Sequence, residues 1–312
     1  RGHHRRARRA DRMQSVLKAA GPPSGGRRRA IGLLAAGSAT AFAAGCGNLG
    51  FSIANLPARR GPFERLPGLA YGGGPRQSLD LYRPRSRAGA AAPVVVFWYG
   101  GAWTRGRKED YRFVGAALAS AGCLTLLPDY RLFPQARFPA FLEDGARATA
   151  WAIDHARAHG GDPQRVFLAG HSAGAHLAAM LAVQTRWLQQ AGANPAAVRG
   201  LIGLSGPYVL QPNTPTLEAI FTSPYRAADW RPAELVGPRA PPALLLHGAE
   251  DDVVSADQSR TFAAALRAAG VPVQLEIYAR RGHADTVAAL STLARSRAPV
   301  LEAIRRFVDV PG

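Results

Sequence analysis

The feature that most constrains the fold is an alternation, from about residue 78 onward, of short apolar runs with alanine-rich stretches of helical period. This alternation predicts the α/β class, with a mostly parallel central sheet and helices on both of its faces. Residues 94–97 read Val-Val-Val-Phe, and so continuous an apolar run is typical of a strand covered on both faces. The predicted strands are residues 78–82, 94–99, 124–128, 165–169, 200–204, 243–246 and 274–278, and the predicted helices are residues 109–121, 139–159, 173–189, 257–269 and 285–308.

Two stretches depart from this alternation. Residues 207–240 are rich in proline and aromatic residues, and two interpretations stay open for them: a short flap over a binding site, or a plain connecting loop. Residues 56–74 are rich in proline and glycine and are predicted to be a connector. We therefore expect three regions, which are an N-terminal signal region (1–46), a linker (47–70) and the α/β domain (71–312).

The formal net charge of +18 could indicate a nucleic acid or an anionic membrane surface as partner. Residues 1–29 hold ten of the 39 Lys and Arg residues against one acid, so they carry half of this charge. The remainder shows no zinc-finger spacing, no aromatic RNA-binding signature and no basic recognition helix. We therefore expect no nucleic-acid partner.

An export signal is indicated by the order of residues 27–46. Three arginines precede an apolar stretch at 30–44, and Gly45 and Cys46 follow it, which is the order of charged, apolar and small residues in such signals. The ending resembles the lipobox of bacterial lipoproteins, in which the cysteine is acylated, although alanine replaces the usual leucine at position 43. We expect an exported bacterial protein that is tethered to a membrane through lipidated Cys46 or is periplasmic. An ordinary cleaved signal or an uncleaved anchor stays open, and a cytoplasmic location is disfavoured.

A nucleophilic serine is predicted at position 172. Residues 170–174 read Gly-His-Ser-Ala-Gly and lie between a predicted strand and a helix that begins at Ala173, which is the context of a G-x-S-x-G elbow. Glycine is needed on both sides because the sharp turn strains the serine and leaves no room for a Cβ. The turn aims the hydroxyl outward above the sheet, and the helix N-terminus favours an oxyanion beside it.

Backbone amides for a negatively charged intermediate are predicted directly after the strand at 94–99. Small residues at 100–102 let two amides approach the oxygen of a tetrahedral intermediate. Gly101 and Ala102 are the candidates from this loop, and Ala173 supplies a third amide from the elbow. The competing interpretation is a glycine turn that only ends a strand.

The general base is predicted to be His283. It lies between the last predicted strand and the closing helix, so its loop shares the carboxyl edge of the sheet with the other two loops. The other histidines fit this role poorly, since two flank the nucleophile and His247 opens a turn at a strand end. His155 and His159 have the i, i+4 spacing of a metal site but no evident third ligand, so no metal site is predicted.

The acid that orients the histidine is predicted after the penultimate strand, where residues 250–252 read Glu-Asp-Asp. A catalytic histidine needs one buried carboxylate on its far nitrogen to fix its tautomer and to stabilise the imidazolium. We predict Asp251 for this role, with Asp252 as the alternative. The chain order Ser, Asp, His is the one expected when the serine lies on a strand-to-helix elbow.

With these residues identified, residues 71–310 resemble the esterase/lipase branch of the α/β-hydrolases, near the small carboxylesterases related to hormone-sensitive lipase and kynurenine formamidase. Three motifs are similar to those of the family: HGG-x-W at residues 99–103, DYRL at 129–132 and GHSAG at 170–174. Residues 247–254 resemble HG-x-x-D-x-x-V, which implies that Asp251 is the family's acid.

One position departs from the family pattern. Tyr99 stands where the family usually has a histidine whose side chain supports the oxyanion loop. A tyrosine can still donate a hydrogen bond, so we expect the loop to keep its shape with altered tuning. The resemblance also implies that Asp129 and Arg131 are structural residues that hold loops below the site.

The resemblance implies the α/β-hydrolase fold with a minimal cap. It further implies a carboxylic ester hydrolase that acts on a small-molecule ester of small or medium size through an acyl-enzyme on Ser172, without a metal or organic cofactor. Two alternatives stay open: an arylformamidase-like amide hydrolase with the same three residues, and a non-catalytic envelope protein that keeps the fold for binding.

Overall fold

The computed structural model describes residues 50–85 and 90–309. Its strands are β1 (Phe63–Ala70), β2 (Ser78–Pro84), β3 (Ala92–Trp98), β4 (Leu124–Pro128), β5 (Gly161–His171), β6 (Val198–Leu204), β7 (Ala243–Gly248) and β8 (Val273–Tyr278). They form one sheet in the order β1-β2-β4-β3-β5-β6-β7-β8. The β1–β2 and β2–β4 pairs are antiparallel and the other five pairs are parallel. The α/β class is therefore confirmed.

The helices cover the sheet. They are α1 (Arg112–Ser120), α2 (Ala140–His155), α3 (Ala173–Val183), α4 (Arg186–Gln190), α5 (Pro215–Ile220), α6 (Ala227–Trp230), α7 (Asp257–Ala268), α8 (Asp285–Ala288) and α9 (Val300–Asp309). Every residue of β3, β4 and β7 is buried, as the apolar runs predict for strands covered on both faces. Among the helices of residues 50–85 and 90–309, none has the length and apolar character needed to cross a bilayer.

Residues 63–70, which the composition predicts to be part of the linker, form the edge strand β1 instead. The strand signal is weak in the sequence because Pro67 and Gly68 interrupt it, and the register with β2 shifts between Leu66 and Leu69. The amide of Gly68 donates to Asp80 Oδ1 at 3.1 Å, so the bulge is fastened to β2. The α/β domain therefore begins before residue 71.

The predicted helix over residues 285–308 is two helices, α8 and α9, separated by an irregular stretch. Pro299 sets the start of α9, because proline lacks the N–H of a helical hydrogen bond and restricts the residue before it to extended dihedrals. Ala298 has φ −157° and ψ 148°, and α9 begins directly after the proline.

Residues 207–240 form α5, α6 and a 3-10 turn at Pro232–Glu234 rather than an irregular loop. Their aromatic side chains fasten them to the domain: the ring of Phe221 packs edge-on against Trp103 at 4.9 Å between centroids. His176 Nε2 lies 2.7 Å from the carbonyl oxygen of Trp230, which joins α3 to the end of α6. This stretch is a small ordered cover.

Candidate active site

The turn between β5 and α3 holds Ser172 in a strained backbone conformation, with φ 54° and ψ −121°. A Cβ at Gly170 would lie 2.3 Å from the carbonyl oxygen of Gly174, and one at Gly174 would lie 2.1 Å from that of Trp98. Only glycine fits at either position, as a sharp nucleophile elbow requires.

Three predicted side chains meet at this turn. Ser172 Oγ lies 2.9 Å from His283 Nε2, and His283 Nδ1 lies 2.8 Å from Asp251 Oδ2. The Asp251 side chain is fully buried and that of His283 is 15% exposed, so the pair is shielded while the serine end stays open. Asp252, the alternative acid, is exposed and takes no part in this chain of contacts.

Asp251 is surrounded by N–H groups. Its Oδ1 accepts from the amides of Val253 at 3.0 Å and Val254 at 2.8 Å. Its Oδ2 faces His247 Nε2 at 3.1 Å in addition to His283. Burial alone would raise the pKa of Asp251, but these partners hold that pKa well below its usual range. The group is therefore a carboxylate under any condition in which His283 can act as a base.

The loop that carries His283 is fastened on two sides. The amide of Glu250 donates to the carbonyl oxygen of Arg281 at 2.9 Å, which joins the loops after β7 and β8. His171, the residue before the nucleophile, has its Nε2 3.1 Å from the carbonyl oxygen of His283. The sequence placed His171 beside the nucleophile without showing that it also holds the base.

The loop after β3 has a compact turn. The amides of Thr104 and Arg105 donate to the carbonyl oxygen of Gly101 at 3.0 and 3.1 Å. Gly101 has φ 130°, and a Cβ there would lie 2.1 Å from the carbonyl oxygen of Arg105. Ala102 and Trp103 also have positive φ, 51° and 58°. The turn therefore requires glycine at 101 and strains the two residues that follow.

A cavity of about 550 Å³ opens at the serine. Two of the three predicted oxyanion donors, Ala102 and Ala173, line it together with Ser172, and Gly101 is not among its lining residues. Ala173 is the first residue of α3, where an amide has no partner within the helix and points towards incoming negative charge. The cavity thus brings Ala102 and Ala173 next to Ser172, and the choice of donors stays a prediction.

The small cover formed by residues 207–240 supplies one wall of this cavity, which supports the flap interpretation over a plain loop. The cavity lining includes apolar side chains, among them Trp103, Leu210 and Leu217, together with polar ones. The polar lining residues are Gln211, Asn213, Ser255, Asp257, Gln258 and Thr261.

Tyr99 supports the oxyanion loop from below. Its hydroxyl donates to Asp129 Oδ1 at 2.8 Å and accepts from Arg76 at 2.6 Å. The amide of Lys108 donates to the same carboxylate oxygen at 2.9 Å, and the hydroxyl of Tyr130 donates to the carbonyl oxygen of Tyr99 at 2.9 Å. A tyrosine here performs the propping role that the resemblance assigns to histidine.

Replacing Tyr99 by phenylalanine is expected to lower the free energy of unfolding by about 2 kcal/mol, because a buried carboxylate loses a hydrogen-bond donor. Urea unfolding monitored by circular dichroism measures this change. Tyr225→Phe, at a half-buried tyrosine whose ring packs against Phe138, is the matched control and should stay within about 0.5 kcal/mol. Equal stability of Y99F and wild type would contradict a supporting role for the hydroxyl.

Arg131 is also structural, as the resemblance implies. Its Nε lies 2.8 Å from Asp144 Oδ2, and its backbone amide donates to the same atom at 2.9 Å. Gln77 Nε2 donates to Asp144 Oδ1 at 2.8 Å. These contacts tie the segment after β4 to α2 and do not reach the serine.

A larger groove, of about 1080 Å³, lies at the amino ends of β5 to β8, the edge opposite Ser172.

Within residues 50–85 and 90–309, no group of three metal-ligating side chains is present, and His155 stacks on Trp151 at 4.1 Å between centroids. Cys46, the predicted lipidation residue, lies outside the described residues.

Two buried histidines near the serine are expected to make the folded state less stable at acidic pH. Burial lowers the pKa of His171 to about 3 and that of His176 to about 4, against 6.5 for the free side chain. Below pH 6.5 the unfolded chain binds these protons and the folded chain does not, so stability falls as the pH falls. Each histidine is expected to lower the free energy of unfolding by about 2 kcal/mol between pH 6.5 and pH 5.

Urea unfolding at a series of pH values between 7.5 and 5 measures this loss. His176→Asn removes one of the two titrating groups. The slope of the free energy of unfolding against pH is therefore expected to decrease by the amount that corresponds to about one bound proton. An unchanged slope in this variant would contradict the assignment of His176 as a neutral buried group.

The sheet order, the serine at the sharp turn and the Ser-His-Asp geometry are those of the α/β-hydrolase superfamily of esterases and lipases. A model of the BD-FAE family matches residues 79–266, which include the oxyanion loop, Ser172 and Asp251. The chain belongs to the BD-FAE family, and the predicted esterase/lipase resemblance is confirmed.

Curated relatives agree with this family. The isoprenylcysteine alpha-carbonyl methylesterase of Arabidopsis thaliana is 33% identical over 239 residues, which are 70% of this chain and 56% of that protein. Esterase LipQ of Mycobacterium tuberculosis is 34% identical over 283 residues, which are 83% of this chain and 66% of that protein. The chain therefore spans only about half to two thirds of the length of these relatives.

Solved structures share the fold. Esterase B from Lactobacillus rhamnosis, inhibited by a tributyrin phosphonate, has a TM-score of 0.70 at 20% sequence identity and covers 82% of this chain and 89% of its own. A truncated carbohydrate esterase from gut microbiota has a TM-score of 0.67 at 21% identity and covers 79% of this chain and 96% of its own. At these identities the likeness concerns the fold.

Proposed function

We propose that this protein is a serine hydrolase that cleaves carboxylic esters of small or medium size through an acyl-enzyme on Ser172. The observation that carries the proposal is the continuous series of contacts from Ser172 Oγ to His283 Nε2 at 2.9 Å and from His283 Nδ1 to Asp251 Oδ2 at 2.8 Å. The serine end of this series lies at an open cavity, so a substrate carbonyl can reach Ser172. The esterase names of the curated relatives support the same chemistry.

In the acylation half, His283 Nε2 takes the proton of the Ser172 hydroxyl as the serine oxygen attacks the carbonyl carbon. The carbonyl oxygen becomes an oxyanion, which the amides of Ala102 and Ala173 stabilise. The tetrahedral intermediate collapses, the bond to the alcohol oxygen breaks, and His283 returns the proton to the leaving alcohol. Asp251 stays ionised and stabilises the imidazolium that exists between these two transfers.

In the deacylation half, a water molecule takes the place of the alcohol. His283 removes a proton from this water as its oxygen attacks the acyl carbon, and the same two amides hold the second oxyanion. The proton then passes to the oxygen of Ser172 as the acid departs. The enzyme regains its starting state, and the net reaction is ester plus water to acid plus alcohol.

The size of the cavity sets the range of substrates. A volume of about 550 Å³ lies within the ~300–1,000 Å³ of sites for small molecules. Apolar contact is offered by Trp103, Leu210 and Leu217, while the polar part of the lining suits the alcohol side of an ester. The proposal therefore favours acyl chains of short or medium length.

A chain-length series of p-nitrophenyl esters, from acetate to palmitate, tests this function. Wild-type protein is expected to hydrolyse the shorter members, with kcat/KM declining for the long chains. N-formylkynurenine, assayed in parallel, addresses the formamidase alternative. Ester hydrolysis that is absent across the series, or that is greatest for palmitate, would contradict the proposal.

We further propose that the protein is exported and tethered to a membrane through an acylated Cys46. The support is the order of residues 27–46: arginines, an apolar stretch, then Gly45 and Cys46. Cys46→Ser in the full chain is expected to move the protein from the membrane fraction of its bacterial host to a soluble exported fraction. Identical fractionation of the variant and the wild type would argue against lipidation.

A further inference from the structure

His247 lies at the end of β7, one residue before Gly248, and its side chain is fully buried. Its Nε2 lies 2.8 Å from the carbonyl oxygen of Val254 and 3.1 Å from Asp251 Oδ2. Its Nδ1 lies 2.7 Å from the hydroxyl of Ser259 on α7. A second imidazole thus faces the same carboxylate oxygen that faces His283.

The contacts require a proton on Nε2 of His247. Both atoms near Nε2 are oxygen acceptors without a hydrogen of their own, so Nε2 must carry the proton. Nδ1 lies within hydrogen-bond distance of the Ser259 hydroxyl, which can donate or accept. The buried ring therefore presents an N–H to Asp251 and to Val254, and Ser259 holds the ring in that orientation.

These contacts close a ring around the carboxylate. The amide of Val254 donates to Asp251 Oδ1, the carbonyl oxygen of Val254 accepts from His247, and the N–H of His247 faces Asp251 Oδ2. The amide of Val253 adds a second donor to Oδ1.

We propose that His247 is a positioning residue of the catalytic triad, which acts through Asp251 by holding its carboxylate in the plane and charge state that His283 needs. This inference rests on the proposed ester hydrolysis. His247 contacts neither substrate nor the reacting atoms. Its N–H reduces the basicity of Oδ2, so that the proton taken from Ser172 stays on His283 rather than moving to the carboxylate.

Matched substitutions separate this role from packing alone. His247→Leu keeps much of the side-chain volume and removes the N–H, whereas His247→Gln keeps an N–H near the place of Nε2. We expect H247L to lower kcat for p-nitrophenyl butyrate by about 10-fold, as the loss of a partner behind a catalytic ligand does, with little change in KM. H247Q is expected to recover most of that loss.

The double variant gives the sharpest readout. If His247 acts through Asp251, H247L combined with Asp251→Asn is expected to be no slower than D251N alone, within about 2-fold. A role in packing would instead lower kcat by the same factor in both backgrounds. His155→Leu, at an exposed histidine on α2, is the control for the loss of an imidazole and should match wild type.

Three results would overturn the proposal: full kcat in H247L, a loss in H247Q as large as in H247L, or an equal loss in the D251N background. Should H247L fail to fold, Ser259→Ala replaces it, since it frees Nδ1 and is expected to lower kcat by about 3-fold, again only when Asp251 is present. The proposed function is tested separately, by the wild-type rate and its dependence on Ser172, so failure of one is distinguishable from failure of the other.

Discussion

Ser172→Ala is expected to lower kcat for p-nitrophenyl butyrate by about 10⁵- to 10⁶-fold, because the substitution removes the atom that forms the acyl-enzyme. Residual hydrolysis then comes from the oxyanion amides and from binding. The variant should fold as the wild type does, since alanine preserves the Cβ and the strained turn depends on Gly170 and Gly174. The rate is measured from the release of p-nitrophenol, in a stopped-flow or a steady-state assay.

The control for this prediction is Ser120→Ala, at an exposed serine that ends α1. It removes a hydroxyl that is not part of the cavity lining and should leave kcat unchanged within experimental error. S172A with full activity would mean that another group attacks the ester, and the acyl-enzyme mechanism would be wrong.

Asp251→Asn is expected to lower kcat by about 10⁴-fold with a small effect on KM. Among the described residues, the groups within hydrogen-bond distance of the carboxylate are N–H groups: His283 and His247 at Oδ2, and the amides of Val253 and Val254 at Oδ1. The NH₂ group of an asparagine must therefore face a donor on whichever side it lies. His283 then loses both its correct tautomer and the charge that stabilises its imidazolium.

Asp252→Asn is the matched control for this prediction. Asp252 is the neighbouring carboxylate, it is exposed, and the sequence offers it as the alternative acid. Its replacement is expected to change kcat by less than about 2-fold, which is the range of an exposed charge near a site. A large loss in D252N together with a small loss in D251N would reverse the assignment of the acid.

Local sequence signals explain why the α/β class and the nucleophile Ser172 can be predicted from the sequence. A strand-turn-helix context requires only neighbours along the chain, so Ser172 and its two glycines can be identified without tertiary information. Continuous apolar runs such as that of β3 likewise report burial on both faces. For the acid, the sequence predicts Asp251 but leaves Asp252 open, because adjacent acids satisfy the same local rule and only packing shows which one is buried.

The remaining features depend on long-range packing. Pro67 and Gly68 hide the edge strand β1, since its pairing is set by β2 and by Asp80 rather than by its own pattern. His247 has the local pattern of a residue at a strand end, and its importance follows from Ser259 on α7 and from Asp251. The cover at residues 207–240 has no periodic pattern because aromatic contacts with the domain fix its path.

Labelling with a fluorophosphonate probe tests the central claim most directly, because the probe forms a bond only with a serine that a neighbouring base activates. Intact mass spectrometry of the wild-type protein is expected to show one phosphonyl group per chain, peptide mapping should place it on Ser172, and hydrolysis should fall in proportion to labelling. Complete inhibition with the group on another residue, or an active protein whose Ser172 stays unlabelled, would contradict this account.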